Sequence, residues 1–133
     1  HPDVPGFLAR NAALSQVEIE VLQIDWREPA ALLALQRALG DIDLIVGSDL
    51  IYEAELATSL PVALDILCRP GARALLADPG RPHLQTTVNG MEQRGFTSRL
   101  EIRAVPSSHD ERAVGNDPAK AIQEVYLLEF TRP

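Results

Sequence analysis

The sequence predicts an α/β protein whose sheet is mostly parallel and finishes in an antiparallel pair of strands. Three observations predict it. Strand-like and helix-like apolar periods alternate through residues 1–95, and such alternation calls for parallel strands joined by right-handed helical crossovers. The run "IDLIVGS" (42–48) is almost wholly apolar, as a strand covered on both faces must be. Finally, "FTSRLEIRAV" (96–105) and "AIQEVYLLEF" (121–130) succeed one another with only a polar loop between them, which favours an antiparallel pair.

Each element has its own signal. "DVPGFLARNAAL" (3–14) sets Phe7, Leu8, Ala12 and Leu14 near a helical period, and "VEIEVLQI" (17–24) reads as a strand rich in β-branched residues. "PAALLALQRAL" (29–39) opens on Pro29 and stops at Gly40, the asymmetry expected of a helix. After the strand at 42–48, Leu56, Leu60, Leu64 and Leu67 recur at helical spacing. Pro61 cannot give its turn an N–H, so a fresh helix start capped by Thr58 or Ser59 is expected there. "PGARALLAD" (70–78) predicts a turn and another buried strand, and "PHLQTTVNGMEQRG" (82–95) a helix ended near Gly95 and weakened by Gly90.

Composition narrows the function. The 133 residues are 46% hydrophobic, enough for one domain (1–133) with one modest core. A formal charge of −7 argues against nucleic acid, whose phosphates want a basic face. No apolar run approaches a membrane span and no signal-peptide pattern opens the chain, so no membrane partner and a cytoplasmic location are expected. The single cysteine, Cys68, excludes an intrachain disulfide and reads as core packing. His1, His83 and His109 lack ligand spacing, "SSHDER" (107–112) reads as a solvated loop, and no metal site is expected.

Three predicted strands end on aspartate: Asp25 in "QIDW", Asp49 in "GSDL" and Asp78 in "LADP". Ligands of open α/β sheets gather at the carboxyl ends of strands. A single aspartate there is as readily a helix cap; three together point to a site.

The segments "HPDVPGFLARNAAL", "LQIDWREP", "DLIVGSDLIYEAEL" and "GARALLADPGR", in that order, resemble the C-terminal part of a seven-β-strand, Rossmann-like S-adenosylmethionine-dependent methyltransferase. More narrowly they resemble protein-lysine methyltransferases with an Asp-x-x-Tyr motif after the fourth strand. "DPGR" (78–81) is similar to the branch acting on the β-subunit of electron transfer flavoprotein. The resemblance implies that Asp25 accepts from the adenine amino group, that Trp26 flanks the adenine, and that Ser48, Asp49 and Leu50 line the methionine end. Asp49 and Tyr52 would be the catalytic mouth, with Tyr52, Glu53, Asp78 and Arg81 meeting the substrate. A neutral amine must lie in line with the methyl carbon, so positioning and desolvation dominate, and the amine's proton would pass to water or Asp49.

The family's glycine-rich cofactor loop and the acidic residue of its second strand have no match in this sequence. The resemblance therefore implies an N-terminally truncated domain without the first two strands, which in this fold lie between the third and fourth. Three arrangements are expected: 17–24 pairs directly with 42–48, strands are swapped or edge-paired between copies, or the chain belongs to a longer one. In each, residues 1–133 alone should bind the cofactor poorly. The other readings are a small-molecule N- or O-methyltransferase on the same scaffold and a non-catalytic interaction fragment. A receiver-like domain binding Mg²⁺ and phosphate lacks its lysine after "LLAD", and a dinucleotide dehydrogenase lacks G-x-G-x-x-G.

Overall fold

The computed structural model describes residues 4–40, 42–106 and 122–133. Its elements are α1 (Val4–Ser15), α2 (Pro29–Leu39), β1 (Ile42–Ser48), α3 (Ala54–Leu67), β2 (Cys68–Asp78), α4 (Leu84–Glu92), β3 (Thr97–Pro106) and β4 (Ile122–Thr131). Pro29 occupies the first turn of α2, and Gly40 closes it at φ 74°, its N–H donating to Gln36 O. The histidine-bearing loop 107–112 and His1 lie outside the described residues.

The four strands form one sheet in the order β1-β2-β4-β3. β1 and β2 run parallel; β4 pairs antiparallel with both β2 and β3. The α/β expectation and the closing antiparallel pair thus hold. One face of the sheet carries the core. Ala74 and Leu76 of β2 and Leu128 and Phe130 of β4 pack against Leu60 and Leu64 of α3 and Met91 of α4. α2 in turn packs on α3. Among the described residues the opposite face is uncovered: Val46 is 70% exposed, and a shallow hollow of about 320 Å³ runs over Leu75, Ala77 and Leu127 to Arg99 and Glu101.

Three expectations need correction. Residues 17–24 form no strand. They carry the right residues, but a strand exists only through a partner's N–H and C=O groups, and β1 pairs with β2 alone among the described residues. Direct pairing of 17–24 with 42–48 is therefore absent, and Val17, Ile19 and Leu22 stay exposed. The turn expected at Pro70 is instead absorbed into β2 as an irregularity. Ile42 faces Cys68 while Leu44 faces Arg73, and Gly71, at φ 81°, donates its N–H to Arg132 O at 2.8 Å.

The third concerns Pro61, which lies inside an uninterrupted α3. Without an N–H, Pro61 leaves the carbonyl of Ala57 with no helical donor. The buried Thr87 hydroxyl, reaching across from α4, donates to that carbonyl at 3.2 Å. Gly90, one turn further on, lets α4 approach, since a Cβ there would lie 2.8 Å from Pro61 Cγ. Thr58 and Ser59 do not cap a new helix. Their hydroxyls donate back to Glu55 O at 2.9 Å and Leu56 O at 3.3 Å, as these residues do within helices.

Candidate functional site

The parallel pair β1 and β2 delivers two aspartates side by side. Asp49 follows β1, and Asp78 is the last residue of β2, so both stand at the carboxyl edge of the sheet. Asp49 extends the ladder one step, its N–H donating to Ala77 O at 3.0 Å, and then turns into the left-handed region at φ 60°. Aspartate tolerates that region better than most residues, and such conformations persist where the surroundings hold them. Here the Ser48 hydroxyl donates to Asp49 Oδ2 at 2.8 Å and Arg81 Nη2 to Oδ1 at 2.7 Å. These two hydrogen bonds, Ser48's foremost, hold the Asp49 carboxyl below the usual carboxylate range.

Asp78 is different in kind. Its side chain is fully buried, and a buried carboxylate needs donors on its lone pairs. It has three: the N–H groups of Gly80 and Arg81 reach Oδ1 at 2.9 and 2.7 Å, and Arg81 Nη1 reaches Oδ2 at 3.1 Å. Gly80 sits at φ 83° with the Tyr126 ring where a side chain would begin, 2.6 Å from an added Cβ. The "DPGR" turn therefore holds Arg81 between two strand ends, its guanidinium joining Asp78 to Asp49.

The other half of the site lies across the loop from β1 to α3. Ile51 is buried and anchors that loop, while Leu50 packs against the core beside Gly47. Tyr52 stands 58% exposed between them and α3. Glu53 takes the cap position in extended backbone (φ −132°, ψ 150°), without a side-chain cap bond. Tyr52 and Glu53 share an open hollow of about 840 Å³ with Asp25, Trp26, Arg27 and Gln23.

Asp25 heads a turn closed by Glu28 N–H on its carbonyl at 3.1 Å. Arg27 grips its carboxylate with Nε on Oδ1 at 2.9 Å and Nη2 on Oδ2 at 2.6 Å. That grip, with the Arg27 N–H on Oδ1 at 3.0 Å, lowers the Asp25 carboxyl to about 2. Arg27 also reaches Glu55 at 3.7 Å, tying the turn to the first turn of α3. Beside them the Trp26 indole N–H is buried without a partner among the described residues.

The structure thus brings Asp25, Trp26, Tyr52 and Glu53 to one hollow. Ser48, Asp49 and Asp78 line another, of about 100 Å³. Arg81 is turned to the two aspartates. Sequence reasoning passed over Arg27; its only signal was an arginine two residues after an aspartate in "DWR". No group of three or more histidine, cysteine, aspartate or glutamate side chains among the described residues could hold a metal ion. No helix of the described residues is long and apolar enough to cross a membrane.

Solved structures share this fold. Precorrin-6y C5,15-methyltransferase from Geobacter metallireducens GS-15 superposes with a TM-score of 0.63 over 100% of this chain, at 15% identity. The fold is that of the Rossmann-like methyltransferases. A structure concerned with the conversion of a disulfide bond into a thioacetal group during echinomycin biosynthesis matches 98% of the chain, with a TM-score of 0.66 and 15% identity. M1.HpyAVI in complex with SAM matches 78% of this chain and 50% of its own, with a TM-score of 0.53 at 9% identity. The chain spans 63% of the length of each of these first two structures. No protein-family model matches the chain, and no curated protein does.

Proposed function

We propose that this chain forms part of an S-adenosylmethionine-dependent methyltransferase that methylates an amine, the side chain of a lysine in a protein. The observation that carries the reading is the shared hollow. On a methyltransferase fold, an aspartate–tryptophan turn and the Tyr52–Glu53 pair open onto one space beside the carboxyl edge of the sheet.

The residues fit the cofactor. Asp25 offers an acceptor for an adenine amino group at Oδ2: Oδ1 already takes both the Arg27 N–H and Nε, whereas Oδ2 has one close donor, Nη2 at 2.6 Å, and only the longer arm of the Nε contact at 3.2 Å. The Trp26 indole N–H has no partner among the described residues and can donate to a bound group. When bound, S-adenosylmethionine supplies a sulfonium methyl carbon to which the acceptor nitrogen bonds as the carbon–sulfur bond breaks. The exposed Tyr52 ring orients a cationic amine in the hollow it shares with Asp25, and the ionised Asp49, lining the neighbouring hollow, draws that amine in by its charge. Because Ser48 and Arg81 keep Asp49 ionised, its carboxylate attracts the ammonium but is a poor base, and water takes the amine's proton. Arrival of the amine in line with the methyl carbon then sets the rate.

The test is transfer of tritiated methyl from S-adenosylmethionine by the full-length protein to a lysate of its own source and, separately, to lysine and butylamine. Labelled protein bands that vanish in Tyr52→Ala and weaken in Asp49→Asn support the reading. Label confined to free amines, or to hydroxyl compounds, favours a small-molecule methyltransferase. That second reading is supported by the likeness to a precorrin methyltransferase. Absence of transfer to protein, free amine and hydroxyl compound alike sinks the proposal.

A further inference from the structure

We infer that Arg81 is a positioning residue, fixing the Asp49 carboxylate at the mouth of the site instead of touching the substrate. The inference rests on the methyltransferase reading for its catalytic part and on geometry for the rest.

The guanidinium is already spent on two carboxylates. Nη1 donates to Asp78 at 3.1 Å and Nη2 to Asp49 at 2.7 Å. A planar fork suits such a bridge, and a lysine cannot reproduce it. Its own backbone is held by the same buried Asp78, whose Oδ1 takes the Arg81 N–H at 2.7 Å. The arginine is therefore fixed at both ends before any ligand arrives. Asp49 is less secure: its side chain is 60% exposed, and its backbone lies in a left-handed conformation. Of its hydrogen bonds among the described residues, only the one from Arg81 comes from outside its own strand and the adjoining β2 ladder. A carboxylate meant to meet a mobile lysine amine needs a fixed direction, and Arg81 supplies it.

The experiment is a double-mutant cycle on the full-length protein with Arg81→Gln and Asp49→Asn. It follows methyl transfer from S-adenosylmethionine to a pool of synthetic lysine peptides, or to butylamine if only free amines are labelled. Asp49 is watched in parallel by carboxyl carbon-13 titration. In the Asp49 background, Arg81→Gln should lower kcat by about tenfold to a hundredfold while KM for the acceptor moves less than about twofold. On Asp49→Asn it should do little more, because the residue acts through Asp49. The Asp49 midpoint should rise in Arg81→Gln. Arg81→Lys, which keeps the charge and is the fallback should the glutamine variant misfold, should recover only part of the rate.

A loss confined to acceptor KM and persisting on Asp49→Asn makes Arg81 a substrate contact and overturns the inference. So does an unchanged kcat. If the wild-type protein transfers no methyl group, the methyltransferase reading fails. The tether then stands or falls on the titration, an unmoved Asp49 midpoint overturning it.

Discussion

Replacing Thr87 by valine tests how α3 survives Pro61. Valine keeps the shape of threonine and removes only the hydroxyl that donates to Ala57 O. The lost hydrogen bond alone is worth about 1 kcal/mol, and leaving a buried carbonyl without a donor raises the cost to about 1–3 kcal/mol. With a urea dependence of about 2 kcal/mol per molar, the unfolding midpoint should fall by about 0.5–1.5 M. The cycle with Pro61→Ala isolates the mechanism. Alanine at 61 restores the amide that Ala57 O lacks, so Thr87→Val should cost about 1 kcal/mol less on that background. Effects of Pro61→Ala on the unfolded chain cancel within the cycle. Equal penalties on both backgrounds, within about 0.3 kcal/mol, would refute the reasoning.

Gly80→Ala should destabilise by about 1–2 kcal/mol for its left-handed backbone, with a further cost as the Tyr126 ring moves aside; thermal unfolding reads both. Asp25 should titrate near 2. A depressed folded value means that its pairing with Arg27 is complete above the unfolded value of 3.8 and is lost as pH falls through about 2. Carboxyl carbon-13 shifts should show that midpoint, moving up towards 3.8 in Arg27→Ala. Tyr52→Ala, at an exposed position, should shift stability by no more than about 0.5 kcal/mol while abolishing methyl transfer, a contrast visible by paired urea melts and rate assays.

Most helices and the four paired strands were legible because their signals are local. Pro29 and Gly40 bracket α2, and the apolar run 42–48 marks β1. What escaped depends on residues distant in sequence. The strand pattern at 17–24 was read correctly as a pattern, but ladder partners are not a local property, and none of the described residues provides them. Pro61 looked like a helix break because its remedy, Thr87, arrives from another helix 30 residues beyond Ala57. The aspartates at 49 and 78 were visible as strand ends. Their joining by Arg81, 32 residues from Asp49, was not. Likewise Asp49-x-x-Tyr52 is plain in sequence, yet its members line separate hollows because the buried Ile51 turns the loop between them.

The Arg81 bridge also proofreads the alignment of β1 with β2. Ser48 faces Ala77 in the native pairing, which leaves Asp49 and Asp78 level just beyond. A slip by a single residue would displace Asp49 by about 3.3 Å and send its side chain to the other side of the sheet. The guanidinium cannot follow, because Asp78 holds the backbone from which it extends. Misaligned strands thus forfeit a contact that the correct ones keep, and the same ions that frame the site help select the only register in which it exists.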